Sequence, residues 1–334
     1  MKRLLVPLFI LLPLAAHAQG LPALNLTQGP EGTTYSLSLQ IVALMSALTI
    51  LPSLLLGMTA FTRIIIVLSI LRQALGTQQT PPNQVLVALA LFLTFFIMQP
   101  TFTAIYDQSL SPYLDGQMEA QPAMDTASHI IKGFLIENTR QNDLLMFQRL
   151  AGDAPYTDND SVPLSVLLPA YMTSELKTAF QIGFLIYLPF LVIDMVVASI
   201  LMALGMMMLS PMLVSLPLKL LLFVLVDGWA LTVGSLAATY GLGDRIMDFD
   251  SNIENLQIAY WNILVVAGPV LGVALVVGLV IGVLQAATSI NEQTLSFVPK
   301  LAISMGVLAL ASGFMLTRMT DYFHYVFETI AAIR

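Results

Sequence analysis

Apolar residues run in long unbroken blocks, at 38–57, 59–71, 85–99, 180–209, 212–240, 258–285 and 300–317, with polar positions gathered between them. A half-buried strand would alternate, whereas continuous blocks in a lipid-like setting predict helices, since only a helix or a closed barrel pairs its own backbone there. Pro52 and Gly57 divide the first long stretch. A spanning helix followed by a second piece ending near Leu75 and Gly76 is expected, and Pro81-Pro82 restarts the chain as a new helix.

Residues 101–162 form the one sizeable polar segment, with nine carboxylates against Lys132, Arg140 and Arg149. Such a base-poor segment suits the periplasmic side, while Arg63 and Arg72 suit the cytoplasmic side. A second change of character falls at GLGDRIMDFDSNIEN, 241–255, where a Gly-rich acidic break follows an apolar hairpin. The chain reads as two modules, several hairpins before the break and one hairpin after it, with no shorter internal repeat.

Composition strengthens the membrane reading. The 334 residues are 57% hydrophobic and 10% charged, with mean hydropathy +0.84, against about 25% charged in an ordinary globular domain. A net charge of -7 with 13 scattered Lys and Arg argues against a nucleic-acid partner. The absence of cysteine removes disulfides, thiolate metal sites and a thiol nucleophile together. His17, His129 and His324 are too dispersed to suggest a metal site. Lys2 and Arg3, an apolar core from Leu4 to Leu14 and then Ala16-His17-Ala18 predict a signal peptide over 1–18, cleaved after Ala18. The apolar core is about half of the roughly 20 residues a first transmembrane helix would need.

No phosphate loop, HExxH or GxSxG occurs, so the pattern offers no catalytic constellation and no cofactor site. Charges inside apolar blocks carry more information: Arg63, Asp194, Lys219 and Asp227. Each costs about 2.5–3.5 kcal/mol at a helix centre in lipid, which implies a partner or water. Ion pairs that fix helices and a proton relay both answer that requirement, with structure favoured. Met206, Met207 and Met208 lie between Gly205 and Pro211, where they either fill gaps at a helix end or form a yielding constriction. In LQAATSINEQTLSFVPK, 284–300, the Ser289 to Glu292 spacing fits a capping box that starts a helix, with Pro299 bending it afterwards.

Three stretches, FTRIIIVLSILRQALGTQQTPPNQVLVALALFLTFFIM (61–98), PAYMTSELKTAFQIGFLIYLPFLVIDMVVASILMALGMMMLSP (169–211) and LPLKLLLFVLVDGWALTVGSL (216–236), resemble the FliP family. GLVIGVLQAATSINEQTLSFVPK (278–300) is similar to the FliQ family. The first resemblance covers about 19–243 and the second about 247–334, with a junction at 244–256 and a hairpin over 257–334. The two families usually occur as separate chains, so the join is a departure that imposes equal numbers of the two modules.

The resemblance implies an all-α, membrane-associated fold whose helical hairpins build a closed superhelical cone, much of it standing above the membrane plane. It implies a subunit of the flagellar type III export gate in the bacterial inner membrane, conducting unfolded flagellar proteins. The expected partners are further copies, a FliR-like subunit, a FlhB-like switch protein and inner-membrane lipid. The resemblance also assigns Met206, Met207 and Met208 to a gating ring. Gln285, Asn291, Glu292, Gln293 and Lys300 then fall at a cytoplasmic entrance where the FlhB-like protein would dock. An injectisome counterpart and an ion-coupled secondary transporter using Asp194 or Asp227 are the alternatives, the latter requiring an inverted repeat pair that the sequence does not display.

Overall fold

Residues 24–29, 32–37, 39–77, 79–154, 156, 158–206, 208–241, 249–288 and 293–333 are described by the computed structural model. The predicted signal peptide therefore lies outside the described residues. The chain divides into two units, Met1–Leu56 and Gly57–Arg334.

Within the first unit, β1 (Leu24–Gly29) pairs antiparallel with β2 (Gly32–Leu37), Leu24 opposite Leu37 and Gly29 opposite Gly32. This small hairpin is an addition to the helical class, and its Thr33-Thr34-Tyr35 run consists of residues suited to a pleated surface. The helix α1 (Leu39–Gly57) follows, apolar all round and with Pro52 inside it.

Among its described residues the second unit holds helices joined by turns, and no strand. It begins with α2 (Phe61–Ala74) and α3 (Asn83–Ile97), continues through α4 (Gln99–Ile105), a π-helical turn (Tyr106–Leu110) and α5 (Ser111–Leu114), and then α6 (Ala120–Glu137) and α7 (Gln141–Ala151). After a 3-10 turn at Asn159–Ser161 come α8 (Leu164–Ala203), α9 (Pro211–Leu225), α10 (Gly228–Ala238), α11 (Phe249–Thr288) and α12 (Gln293–Ala331). The acidic segment is thus folded rather than open loop. Leu135, Val162, Leu167 and Tyr171 give it a small core of its own against the start of α8.

At 40 residues, α8 is the spine. At 1.5 Å per residue it is about 60 Å long, roughly twice the hydrocarbon thickness of a bilayer. It starts well before the apolar block at 180 because Ser174, Glu175 and Thr178 are buried in its first half together with Tyr171 and Ala179. The main core gathers Ile64, Leu68 and Leu71 of α2 with Ile182, Leu185 and Phe190 of α8 and Phe323 and Phe327 of α12. Where α2 crosses α8, a Cβ at Gly183 would lie 2.3 Å from Ile70 Cδ1, so any larger residue there must displace the Ile70 side chain.

Among the described residues three single helices are long and apolar enough to cross a membrane: Leu164–Ala203, Asn252–Thr288 and Phe297–Ala331. The block at 212–240 is broken, α9 and α10 meeting at 65°. Asp227 supplies the corner with a left-handed φ of 51°. Gly228 follows because the Phe223 ring occupies the space of its missing side chain, 2.2 Å from an ideal Cβ.

Candidate functional site: buried charges and the methionine loop

Arg63 sits on the first turn of α2, 2% exposed, and cannot remain there unpaired. Its Nε donates to Glu175 Oε2 at 3.0 Å, its Nη2 meets Glu175 Oε1, and its Nη1 donates to Thr239 Oγ1 at 3.0 Å. The Tyr240 ring lies 3.9 Å from the guanidinium carbon, and the Tyr240 hydroxyl donates to Glu175 Oε2 at 2.7 Å. The fork-to-carboxylate geometry, the ring face and the hydroxyl together satisfy the charge pair and tie α2, α8 and the end of α10 into one joint.

Sequence reasoning singled out Arg63 but missed Glu175. The signal was available: Tyr171, Glu175, Ala179 and Ile182 share one helical face, which places a carboxylate on the buried side of α8.

A second pair lies further along the spine. Lys219 Nζ donates to Asp194 Oδ2 at 2.7 Å and to the Ala74 carbonyl at 3.1 Å, while Ser215 Oγ donates to Asp194 Oδ1 at 2.6 Å. Asp194 and Lys219 are thus brought together across α8 and α9. Asp227 joins neither pair: it is exposed at the α9–α10 corner and forms no salt bridge among the described residues.

The acidic segment is fastened to α8 by a third cluster. Buried Asp143 accepts from Ser174 Oγ at 2.8 Å and pairs with Lys177. The Arg140 amide donates to Ser174 Oγ at 3.0 Å, and its Nη2 donates to Thr178 Oγ1 at 3.0 Å and to Gln181. Burial lowers the Arg140 pKa from its ordinary value, with Arg63 adding repulsion and Asp143 and Glu175 opposing both.

At the opposite end of α8, Gly205 takes φ 76° and the Met206 amide donates to the Leu201 carbonyl at 2.9 Å, closing the helix. Met206 then packs partly against the main core, whereas Met208 is fully exposed. Met207 lies outside the described residues. The Phe297 ring stands 3.7 Å from the position of a Cβ at Gly205, so the start of α12 lies at the methionine end of the spine.

Of the predicted entrance residues, Gln285 is half-buried, and Lys300, also half-buried, extends across the hairpin until its Nζ is 4.0 Å from a Cβ position at Gly278. Asn291 and Glu292 lie outside the described residues, as does the Gln293 side chain. Beside Met212 a cavity of about 700 Å³ is lined by Ile65, Ile66, Ile70, Arg72 and Tyr187. No group of three or more His, Cys, Asp or Glu among the described residues could hold a metal ion.

Residues 44–236 match the FliP family model. The chain belongs to the FliP family. Residues 252–324 match a second family, Bacterial export proteins, family 3, so a FliP-family segment is joined to a FliQ-like hairpin. The flagellar biosynthetic protein FliP of Cereibacter sphaeroides is 77% identical over 231 residues, covering 69% of this chain and 77% of that protein. FliP of Pectobacterium carotovorum is 54% identical over 209 residues, 63% of this chain and 81% of its own. FliP of Bacillus subtilis is 50% identical over 218 residues, 65% of this chain and 98% of its own.

Proposed function

We propose that this chain is a membrane-embedded subunit of the flagellar type III protein export gate, supplying the channel wall and its constriction. The observation that carries the reading is the union of a FliP-family segment and a FliQ-like hairpin in one helical unit whose buried charges are paired internally. A transporter needs an acid free to take up and release a proton at a hydrated site. Asp194 is instead held by Lys219 and Ser215, which favours ion pairs as structural joints.

The chain acts by conduction rather than by chemical reaction. Further copies, together with FliR-like and FlhB-like proteins, complete the gate in the bacterial inner membrane. The acidic helices project toward the periplasm, and Arg63, paired with Glu175 beside them, falls on that side rather than on the cytoplasmic side expected of it, while the methionine loop and the hairpin turn face the other way. The common end shared by Gly205 and Phe297 supports that polarity. Unbranched methionines suit a seal that must close against ions and still yield to a passing chain, and the exposed Met208 is placed to meet its counterparts from other copies.

Replacing Met206, Met207 and Met208 together with Ala tests the gate. Cells carrying the assembled variant should leak small ions, read as loss of membrane potential by a voltage-sensitive dye, while the complex is recovered in normal amount. Unchanged ion tightness in an assembled complex would remove the methionines from the gate.

A further inference from the structure

Because the FliQ-like hairpin is covalently joined to the FliP-family segment, it has two possible seats, its own module or that of a neighbouring copy. Its base is deeply engaged within this chain. Phe323, Phe327 and Ile330 of α12 are at most 2% exposed, and Phe323 meets Phe190 of α8 edge to face at 5.2 Å. Ser235 Oγ of α10 donates to the Phe327 carbonyl at 3.1 Å, a polar contact that fixes the axial position of α12. On α11, Ala259, Val266, Ala267 and Val270 are buried on one face along α8.

The join is short. From Gly241 to Phe249 the chain can span at most roughly 28 Å, eight steps of ~3.5 Å. A tether of that length holds the hairpin at millimolar effective concentration beside its own seat, so a hairpin from another chain competes at a disadvantage of about 10²-fold or more.

We propose that each chain seats its own hairpin, so that copies enter the assembly already covered, one hairpin to one FliP-family segment, and the seat on α8 and α10 is closed to hairpins of other chains. The inference concerns how the assembly is put together and holds whatever passes through it.

The chain contains no cysteine, so introduced thiols report alone. With a protease site placed in 242–248, the chain carrying both Phe190→Cys and Phe323→Cys is treated with a short bifunctional thiol reagent and cleaved. The two fragments should remain linked. When Phe190→Cys and Phe323→Cys are placed on separate, differently tagged chains produced together, the interchain product should be roughly 10²-fold scarcer. Interchain product at comparable yield overturns the proposal.

Because two cysteines for core phenylalanines can unfold the seat, a second probe keeps the aromatic bulk: p-benzoylphenylalanine in place of Phe323, irradiated in an assembly of two differently tagged copies. Linkage confined to the chain that carries the probe supports seating in cis. A linked product bearing both tags overturns it.

Discussion

The spine α8 and the hairpin helix α12 are almost equal in length, 40 and 39 residues, and both are apolar enough to cross a membrane. They differ in coverage. In the most apolar stretch of α8, 56% of residues are buried within the chain, against 6% for α12. Hydropathy alone therefore does not distinguish a helix that avoids water by packing on its own subunit from one that needs lipid or another subunit. The difference lies in the polar residues. Glu175, Asp194 and Thr178 on α8 each find a partner on another segment of the chain, and such pairings mark an interior element. The bare part of α12 around Leu310, 89% exposed, offers mostly apolar surface, and its exposed Ser312 only bonds back to the Ala309 carbonyl of the same helix.

The contrast breaks most severely at the buried pair. Glu175→Ala strands the Arg63 guanidinium in the core and should destabilise the purified chain by about 3–5 kcal/mol. Thermal unfolding in detergent measures the loss, and adding Arg63→Met should recover much of it by removing the orphaned charge. Phe323→Ala, at the covered base of α12, should cost about 3–5 kcal/mol at the lower end of that range. Leu310→Ala on the same helix should change the stability of the solubilised chain by less than about 0.5 kcal/mol and show its effect only in the yield of assembled complex. Equal losses at the two positions would erase the distinction between covered base and bare surface.

Gly183→Ala sharpens the account of the spine by forcing Ile70 aside, at about 1–3 kcal/mol. The smallest effect belongs to the acidic segment. Tyr156 donates to the Asp153 carboxylate, and that hydrogen bond pushes the phenol up to about 12. The unfolded group titrates near pH ~10. Its contribution is therefore fully present below that pH and is lost as pH rises toward 12. Tyr156→Phe should remove one late-titrating tyrosine from the phenolate absorbance, read as a difference from the parent chain.

Much of the helical layout was legible because unbroken apolar blocks leave few alternatives. The blocks at 258–285 and 300–317 fall within α11 and α12, whereas the expected break at 241–255 overlaps the first turns of α11, which starts at Phe249 rather than at 257. The start of α8 was hidden because Ser174, Glu175, Lys177 and Gln181 look like a solvated stretch, although the first two are buried. Burial of a polar residue depends on a partner far along the chain, 112 positions away for Arg63 and Glu175, and local hydropathy carries no trace of that. Asp194 and Lys219 were easier, since a charge within an apolar block announces its need for a partner. The corner at Asp227 was missed because an αL aspartate followed by a glycine under a phenylalanine ring interrupts the backbone without interrupting the apolar composition.

The contact between Gly183 and Ile70 has a consequence for heredity as well as for stability. The two positions share a single parcel of volume, and a side chain at Gly183 can enter it only by displacing Ile70. A chimera that takes α2 from one relative and α8 from another inherits the two halves of that parcel from different parents. The seam between these helices, rather than either helix by itself, is the unit that must be exchanged intact.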